Sequence, residues 1–180
     1  METAPFSSVS ALIAALESLD GMPSDEVVDA LAHLLQTAEQ LASRSHDPEL
    51  IAAGLVHDVA SALEPGCGDH AQAGATLVAP LLGRRTADLV GGHTDAKRYL
   101  VTVDRSYAGH LSPASTHTLL LQGGPMTDEE LAAFRGRTDW AAMVELRRAD
   151  DAAKVPDQAV RPVAGWRELL AAVATGATAR

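Results

Sequence analysis

The stretch DPELIAAGLVHD, residues 47–58, contains the strongest structural signal in the sequence. Asp47 followed by Pro48 is typical of a helix N-cap with proline at the first helical position. The apolar residues that follow predict a buried helix that ends at His57 and Asp58. An imidazole beside a carboxylate in a buried position indicates a metal site, because an aspartate can use both carboxylate oxygens and so bridge two metal ions.

The rest of the chain also has helical periodicity, and no segment alternates as a β-strand does. We therefore predict an all-α fold, a compact helical bundle that forms a single domain over residues 1–180. Thr127 with Glu130 matches the pattern of a capping box, Ser112 with Pro113 is predicted to open one helix, and Asp139 is predicted to cap a later one. Besides the helix that follows Thr127, the predicted helices span about residues 8–19, 25–43, 48–58, 69–82, 86–103, 113–122, 139–154 and 165–174, and Gly83 is predicted to end the fourth of them.

The composition excludes several classes of protein. The chain has 180 residues, a formal net charge of -10 and one cysteine, which excludes a disulfide scaffold and a thiolate-rich zinc or iron–sulfur site. The acidic balance argues against a nucleic-acid partner.

Residues 1–10 lack the basic start of a signal peptide, and the apolar runs are shorter than the roughly 20 residues of a membrane span. We expect a cytoplasmic protein with no membrane partner.

Seven histidines are the unusual feature of this composition. Four of them, together with two aspartates, fall on predicted helices or helix starts: His33, His57, Asp58, His70, His93 and Asp150. Helical bundles commonly build metal sites from side chains that project inward from several helices. Taken singly, each histidine is more simply a surface or core residue, and the pair His46-Asp47 shows that His-Asp also occurs at a helix cap. The residues alone leave both interpretations open.

Six motifs occur in order along the chain: HLLQTA (33–38), AAGLVHD (52–58), HAQAGATLV (70–78), HTDAKRYL (93–100), LSPASTHTLLLQGGPMTDEELAAF (111–134) and LRRADDAAK (146–154). Together they resemble the mixed-valence diiron oxygenases of the HD-domain superfamily that cleave C–P bonds in organophosphonates, relatives of myo-inositol oxygenase. The resemblance covers about residues 24–156 and leaves 1–23 and 157–180 as flanking helices and tail. Ordinary HD phosphohydrolases do not share the motifs at 93–100 and 111–134.

The resemblance implies an HD-domain helical bundle that holds an Fe(II)/Fe(III) pair and uses O2 as co-substrate. One iron would take His33, His57, Asp58 and Asp150, and the other would take Asp58, His70 and His93, with Asp58 bridging. Asp150 is chosen over Asp151 because the ligand of the family lies four residues before a lysine, here Lys154. Asp151 points about 100° further round the helix.

The resemblance also implies a set of substrate contacts: Lys97, Ser115, Thr118 and Arg147. An arginine fork, a lysine point charge and two hydroxyls suit a tetrahedral oxyanion. In a protein of net charge -10, a local basic pocket would attract an anionic substrate. Without the resemblance, the simpler interpretation is that Lys97 and Arg147 extend to solvent or pair with Asp95 and Asp151.

Glu26 lies seven residues before His33, so the helical period predicts both on one face. The resemblance implies that Glu26 gates the iron that binds oxygen and can contact the amine of a substrate, and that Glu26, Lys97 and Arg147 form the catalytic set. The alternative role for Glu26 is a favourable charge in the first turn of a helix.

The chain departs from the family at three places. The tyrosine near Glu26 is absent, Ser61 replaces a histidine that helps to hold substrate, and only eleven residues separate Asp58 from His70. These departures concern the substrate more than the metals, because all six ligand positions are occupied.

We therefore expect a non-haem diiron oxygenase that oxidatively cleaves a small anionic substrate, first of all the C–P bond of an α-hydroxyphosphonate. The alternatives are a metal-dependent HD phosphohydrolase that acts on a phosphate ester, and a catalytically inactive HD protein that binds metal or ligand. The protein is expected to be a monomer or a homodimer.

Overall fold

The computed structural model describes residues 4–24 and 26–176, and within these ranges the regular elements are all helical, which confirms the all-α prediction. The α-helices are α1 (Val9–Glu17), α2 (Ala30–Ala42), α3 (Pro48–Val56), α4 (Val59–Leu63), α5 (His70–Val103), α6 (Pro113–Leu121), α7 (Asp128–Arg135), α8 (Trp140–Ala152) and α9 (Arg167–Ala174). Short 3₁₀ helices span Tyr107–His110 and Val163–Trp166. The predicted helix start at Asp25 and both ends of the predicted domain 1–180 lie outside the described residues.

Side-chain caps determine where several helices begin, as the sequence predicts. Asp47 accepts hydrogen bonds from two backbone N–H groups of the first turn of α3, and Pro48 occupies the start of that helix. Ser112 caps α6 in the same way. Thr127 and Glu130 form both hydrogen bonds of the predicted capping box. These caps satisfy N–H groups that have no partner within the helix.

Several predicted boundaries and one predicted cap are wrong. The second helix begins at Ala30 rather than at residue 25, because Asp29 caps it and residues 26–28 form a bend. The predicted helix 139–154 ends at Ala152. Asp139 makes no capping bond, because its carboxylate accepts a hydrogen bond from Arg85 at 3.1 Å instead.

The break predicted at Gly83 is present, although helical residues continue directly on both sides of it. The element α5 therefore contains both of the predicted helices. Gly83 has φ 82° and ψ 171°, a backbone conformation that residues with a Cβ atom rarely adopt. The glycine therefore lets the chain change direction while helix continues on both sides, which explains why the sequence indicated two helices.

Helices α2, α3, α5 and α8 pack around the centre of the molecule, and α9 lies against α1, α3 and α5. The core consists mainly of leucine, valine and alanine side chains. Close packing between α2 and α3 depends on Gly54, because a Cβ there would meet the Cδ1 atom of Leu41 at 2.5 Å.

None of the helices in the described residues is both long enough and apolar enough to cross a membrane.

Trp166 joins the C-terminal segment to the core, although the family resemblance ends near residue 156. Its side chain is fully buried, and the guanidinium of Arg161 lies 4.2 Å from its ring centroid. The segment after α8 therefore contributes to the packed interior.

We predict that Trp166→Ala lowers the free energy of unfolding by about 3–5 kcal/mol, because it leaves a large cavity in the core. Urea unfolding followed by circular dichroism measures the change. The matched control is Leu120→Ala, whose side chain is 73 % exposed and which should change stability by less than about 0.5 kcal/mol. Equal stability of the two variants would contradict the structural role of Trp166.

Candidate metal centre

The fold brings the six predicted metal ligands into one cluster. His33 comes from α2, His57 and Asp58 from the junction of α3 and α4, His70 and His93 from α5, and Asp150 from α8. All but His57 line one cavity of about 400 Å³, and His57 is buried behind its wall. The three other histidines do not line this cavity.

Asp58 lies at the centre of the cluster, and its two carboxylate oxygens face different histidines. The Oδ2 atom is 3.6 Å from Nε2 of His57 and 3.9 Å from Nε2 of His33. The Oδ1 atom is 3.5 Å from Nε2 of both His70 and His93. Two groups of potential ligands therefore share Asp58, which is the arrangement expected of a carboxylate that bridges two metal ions.

Asp150 completes the first group, whereas Asp151 points elsewhere. The Oδ1 atom of Asp150 is 3.3 Å from Nε2 of His33, and its Oδ2 atom is 3.9 Å from Nε2 of His57. Asp151 pairs with Arg147 and Tyr107 instead. The rotation of about 100° between adjacent helical residues explains why only one of the two aspartates faces the cluster.

Backbone carbonyl groups orient three of the four histidines. The Nδ1 atom of His33 lies 2.9 Å from the carbonyl oxygen of Ala153. The Nδ1 atom of His57 lies 2.9 Å from the carbonyl oxygen of Gly54, and the Nδ1 atom of His93 lies 2.7 Å from that of Val90. Because a carbonyl oxygen only accepts, Nδ1 carries the hydrogen in each ring, and a neutral ring then presents the lone pair of Nε2 to the cluster. Histidines that bind metals are oriented in this way.

The cluster contains polar atoms that the protein itself does not satisfy. Among the described residues, Nε2 of His57 and Oδ1 of Asp58 are buried without a hydrogen-bond partner. The Nε2 atoms of His70 and His93 lie 3.3 Å apart. Each unsatisfied buried group costs roughly 1–3 kcal/mol, and metal ions would satisfy them. The nitrogen and oxygen donors fit iron, manganese or zinc.

The pKa values of His57, Asp58 and Asp150 favour ionisation states that bind metal, whereas the pKa of His33 is raised, because Asp150 and Asp58 outweigh the effect of burial. Burial lowers the pKa of His57 to about 4, so its ring is neutral at physiological pH. Burial by itself would raise the pKa of Asp58, but His57 and the other nearby histidines hold it well below its usual range. Burial also opposes ionisation of Asp150, and the Arg147 guanidinium outweighs that effect, so its pKa lies well below the ordinary value. A histidine binds metal as the neutral imidazole, and an aspartate binds it as the carboxylate.

The four predicted substrate contacts lie on the same cavity: Lys97, Ser115, Thr118 and Arg147. Lys97 is buried, and its Nζ donates to Oγ1 of Thr118 at 2.7 Å. Arg147 is also buried and donates to Oγ of Ser115 at 3.1 Å. Neither cation extends to solvent. Asp95 accepts from Arg137 at 2.8 Å, so the alternative partner expected for Lys97 is engaged elsewhere, whereas Arg147 does pair with Asp151, as the alternative interpretation predicted.

Tyr107 and Asp151 hold Arg147 from the side away from the cavity. The Nε atom of Arg147 donates to the Tyr107 hydroxyl at 3.1 Å, and both residues bond to Asp151. A further bond joins Nη1 of Arg147 to Oδ2 of Asp150 at 2.8 Å. Sequence reasoning missed Tyr107, because no spacing rule relates it to Arg147, 40 residues further along the chain.

Glu26 lines the cavity, but the reason given for its position was wrong. It lies in the bend before α2 rather than on the helix face of His33, and it is not a first-turn charge. Its Oε1 atom accepts from Nζ of Lys154 at 2.8 Å and from Oγ of Ser112 at 2.8 Å. Neither contact was predicted. Ser61, which replaces the family histidine, also lines the cavity.

Comparisons with known proteins identify the family of the chain. The HD domain family matches residues 30–134. Hydroxymethylphosphonate dioxygenase of Gimesia maris is 39% identical over 142 residues, which cover 73% of this chain and 70% of the relative. The glycine-betaine-forming 1-hydroxy-2-(trimethylamino)ethylphosphonate dioxygenase of Leisingera caerulea is 33% identical over 141 residues, which cover 73% of this chain and 72% of the relative. The chain therefore belongs to the HD-domain family of phosphonate oxygenases.

Proposed function

We propose that this protein is a non-haem diiron oxygenase that uses O2 to cleave the C–P bond of a small α-hydroxyphosphonate. The observation that carries the proposal is the position of Asp58, whose two oxygens face two separate groups of ligands in a cavity that also contains Lys97 and Arg147. The two similar dioxygenases are named for hydroxyphosphonate substrates, which supports this choice.

Two metal ions fit the donors of the cluster. His33, His57, Asp58 and Asp150 would hold one of them, and Asp58, His70 and His93 would hold the other. Iron is favoured over zinc because a reaction with O2 needs a redox-active metal, which zinc is not. Bound iron supplies the oxidising chemistry, while the protein supplies ligand geometry and substrate orientation.

In the net reaction, the carbon that bears the hydroxyl is oxidised to a carboxylic acid and phosphorus leaves as phosphate. One molecule of O2 supplies both added oxygen atoms, so hydroxyphosphonate plus O2 equals carboxylic acid plus phosphate. The name of the Leisingera relative, glycine-betaine-forming, describes a carboxylate product of this kind.

Lys97 and Arg147 would bind the phosphonate oxygens, and the hydroxyls of Ser115 and Thr118 would add further hydrogen bonds. Because both cations are buried, their charge-assisted hydrogen bonds are stronger than they would be in water. These contacts orient the hydroxyl-bearing carbon toward the metal ligands. Tyr107 limits the positions that the Arg147 side chain can adopt.

Glu26 would complete the catalytic set as a gate at the cavity. Its ion pair with Lys154 joins the bend before α2 to the chain just after α8, and the bond from Ser112 adds the start of α6. The segment of Pro23 and Ser24 lines the cavity beside it.

The cytoplasmic location stays a prediction. So does the expectation of a monomer or homodimer without nucleic-acid or membrane partners.

We predict that Asp58→Ala loses both metal ions, because the variant removes a ligand that the two groups share. Mass-spectrometric metal analysis should find about two irons per chain in the wild type, as in other diiron sites, and almost none in the variant. The control is His117→Ala, an exposed residue outside the cavity, which should keep the full content. Full iron content in Asp58→Ala would contradict the bridging role.

We predict that iron-loaded protein consumes O2 with an α-hydroxyphosphonate and releases phosphate in equal amount. An oxygen electrode and a phosphate assay measure the two quantities, and an EPR signal of a mixed-valence pair should change when the phosphonate is added. Hydrolysis of a phosphate ester without O2 consumption would instead show an HD phosphohydrolase. A single metal ion per chain would overturn the diiron assignment.

We predict that Lys97→Met raises KM for the phosphonate at least about tenfold, because a buried cation no longer contacts the anion. Burial and the nearby Arg147 lower the pKa of Lys97 to about 8. Lys97 is charged below that pH and neutral above it, so the wild-type KM should rise as the pH increases through about 8. The KM of Lys97→Met should lack this rise, whereas Arg84→Met on the surface should behave as wild type.

A further inference from the structure

The cavity has a closed end and an open end. At the closed end, the side chains of Arg147 and Asp150 are only 4% and 6% exposed, and Lys97 is also buried. Asp58 and His70 are the most exposed of the predicted metal ligands, at 31% and 20%. The groups that would bind a phosphonate therefore lie deep in the protein, and Asp58 and His70 face the opening.

Exposed residues from two segments of the chain border this opening. Pro23, which precedes α2, is exposed and lines the cavity. The connection between α4 and α5, residues 64–69, contributes Pro65, Gly66 and Gly68 in the same way. A Cβ atom on Gly66 or Gly68 would meet no atom within 4 Å, its chain neighbours aside. The connection therefore borders the opening without closing it.

The side chains on this part of the wall are small and carry no charge. Ser61 and Ala62 of α4 line the cavity, as do Pro65 and Cys67 of the connection. An alkyl chain can contact such a wall without removing water from a charged group, which would be costly. The wall is therefore suited to an uncharged organic tail.

We propose that the tail of the substrate leaves the cavity between Pro23 and residues 65–68, so that the site accepts α-hydroxyphosphonates with uncharged tails of several carbon atoms. A phosphonate held at Lys97 and Arg147 places the hydroxyl-bearing carbon at the metal ligands. The substituent on that carbon then faces Asp58 and His70 at the opening.

This inference rests on the proposed function and specifies its substrate class. The relative from Gimesia is named for a substrate without a tail beyond the hydroxymethyl carbon, and the relative from Leisingera for one whose tail ends in a trimethylammonium group. A longer, uncharged tail goes beyond both names.

The test compares kcat/KM for hydroxymethylphosphonate and for 1-hydroxyhexylphosphonate in the iron-loaded protein. Both substrates have uncharged carbon substituents, so the charge of Glu26 does not enter the comparison. A pocket that encloses its ligand discriminates by about tenfold or more for a single methylene, whereas this open site should keep the two values within about tenfold across all the added carbons. A larger loss for the hexyl substrate would overturn the inference.

Two variants narrow the opening. Cys67→Trp should lower kcat/KM for the hexyl substrate at least about tenfold relative to hydroxymethylphosphonate, because a large side chain then stands in the path of the tail. The matched control is Cys67→Ser, which nearly preserves the size of the side chain and should keep the wild-type ratio. Pro65→Trp repeats the test at an exposed position.

Thermal unfolding and iron content identify the variants that are folded and loaded. If folded, iron-loaded Cys67→Trp and Pro65→Trp both keep the wild-type ratio, the tail does not pass this opening and the inference is overturned.

A binding experiment separates this inference from the proposed function. Calorimetric titration of the same iron-loaded proteins with methylphosphonate and hexylphosphonate measures acceptance of the tail without turnover. Binding of both ligands by the wild type, with selective loss of hexylphosphonate in Cys67→Trp and no O2 uptake on any hydroxyphosphonate, would uphold the inference and overturn the proposed function. O2 uptake on hydroxymethylphosphonate by a wild type that excludes hexylphosphonate would uphold the function and overturn the inference.

Discussion

The carboxylate of Asp58 imposes the constraint on which the site depends. Its two oxygens face histidines from α2, from the end of α3 and from α5, so these helices must meet at one point. The chain meets this requirement by ending α3 at Val56 and starting α4 at Val59, which places His57 and Asp58 at the junction. The small side chains of α3 then allow close approach of α2, as the contact between Gly54 and Leu41 shows.

Charge compensation explains why the surroundings of this cluster are so strongly connected. Arg147 bonds to Asp150 on one side and to Asp151 and Tyr107 on the other, so its buried charge is balanced while it faces the cavity. Glu26, which lines the cavity, pairs with Lys154, which does not. A buried charge without a partner is costly, which explains why Arg147 and Lys154 each pair with an acid. This balance leaves Lys97 as a cation held by a neutral hydroxyl, free to meet an anion.

Local chemistry explains which parts of the fold were predictable. The caps at Asp47, Ser112 and Thr127 and the break at Gly83 depend on residues within a few positions of each other, and all four were predicted. The cap at Asp139 failed, because Arg85 from another helix competes for the same carboxylate. Propensity and capping patterns do not contain such long-range partners, and tertiary contacts override them.

The sequence by itself determined the helical class, most helix starts and, through ordered motifs, the six residues that cluster around Asp58. The family resemblance selected Asp150 over Asp151, and helical geometry explains why only one of the two faces the cluster, since adjacent residues on a helix point about 100° apart. Only the tertiary structure decided which residues hold Arg147 and Glu26 in the wall of the cavity. Tyr107 reaches Arg147, and Lys154 reaches Glu26, across 40 and more positions of sequence, because packing of the helices brings together side chains that no local period relates.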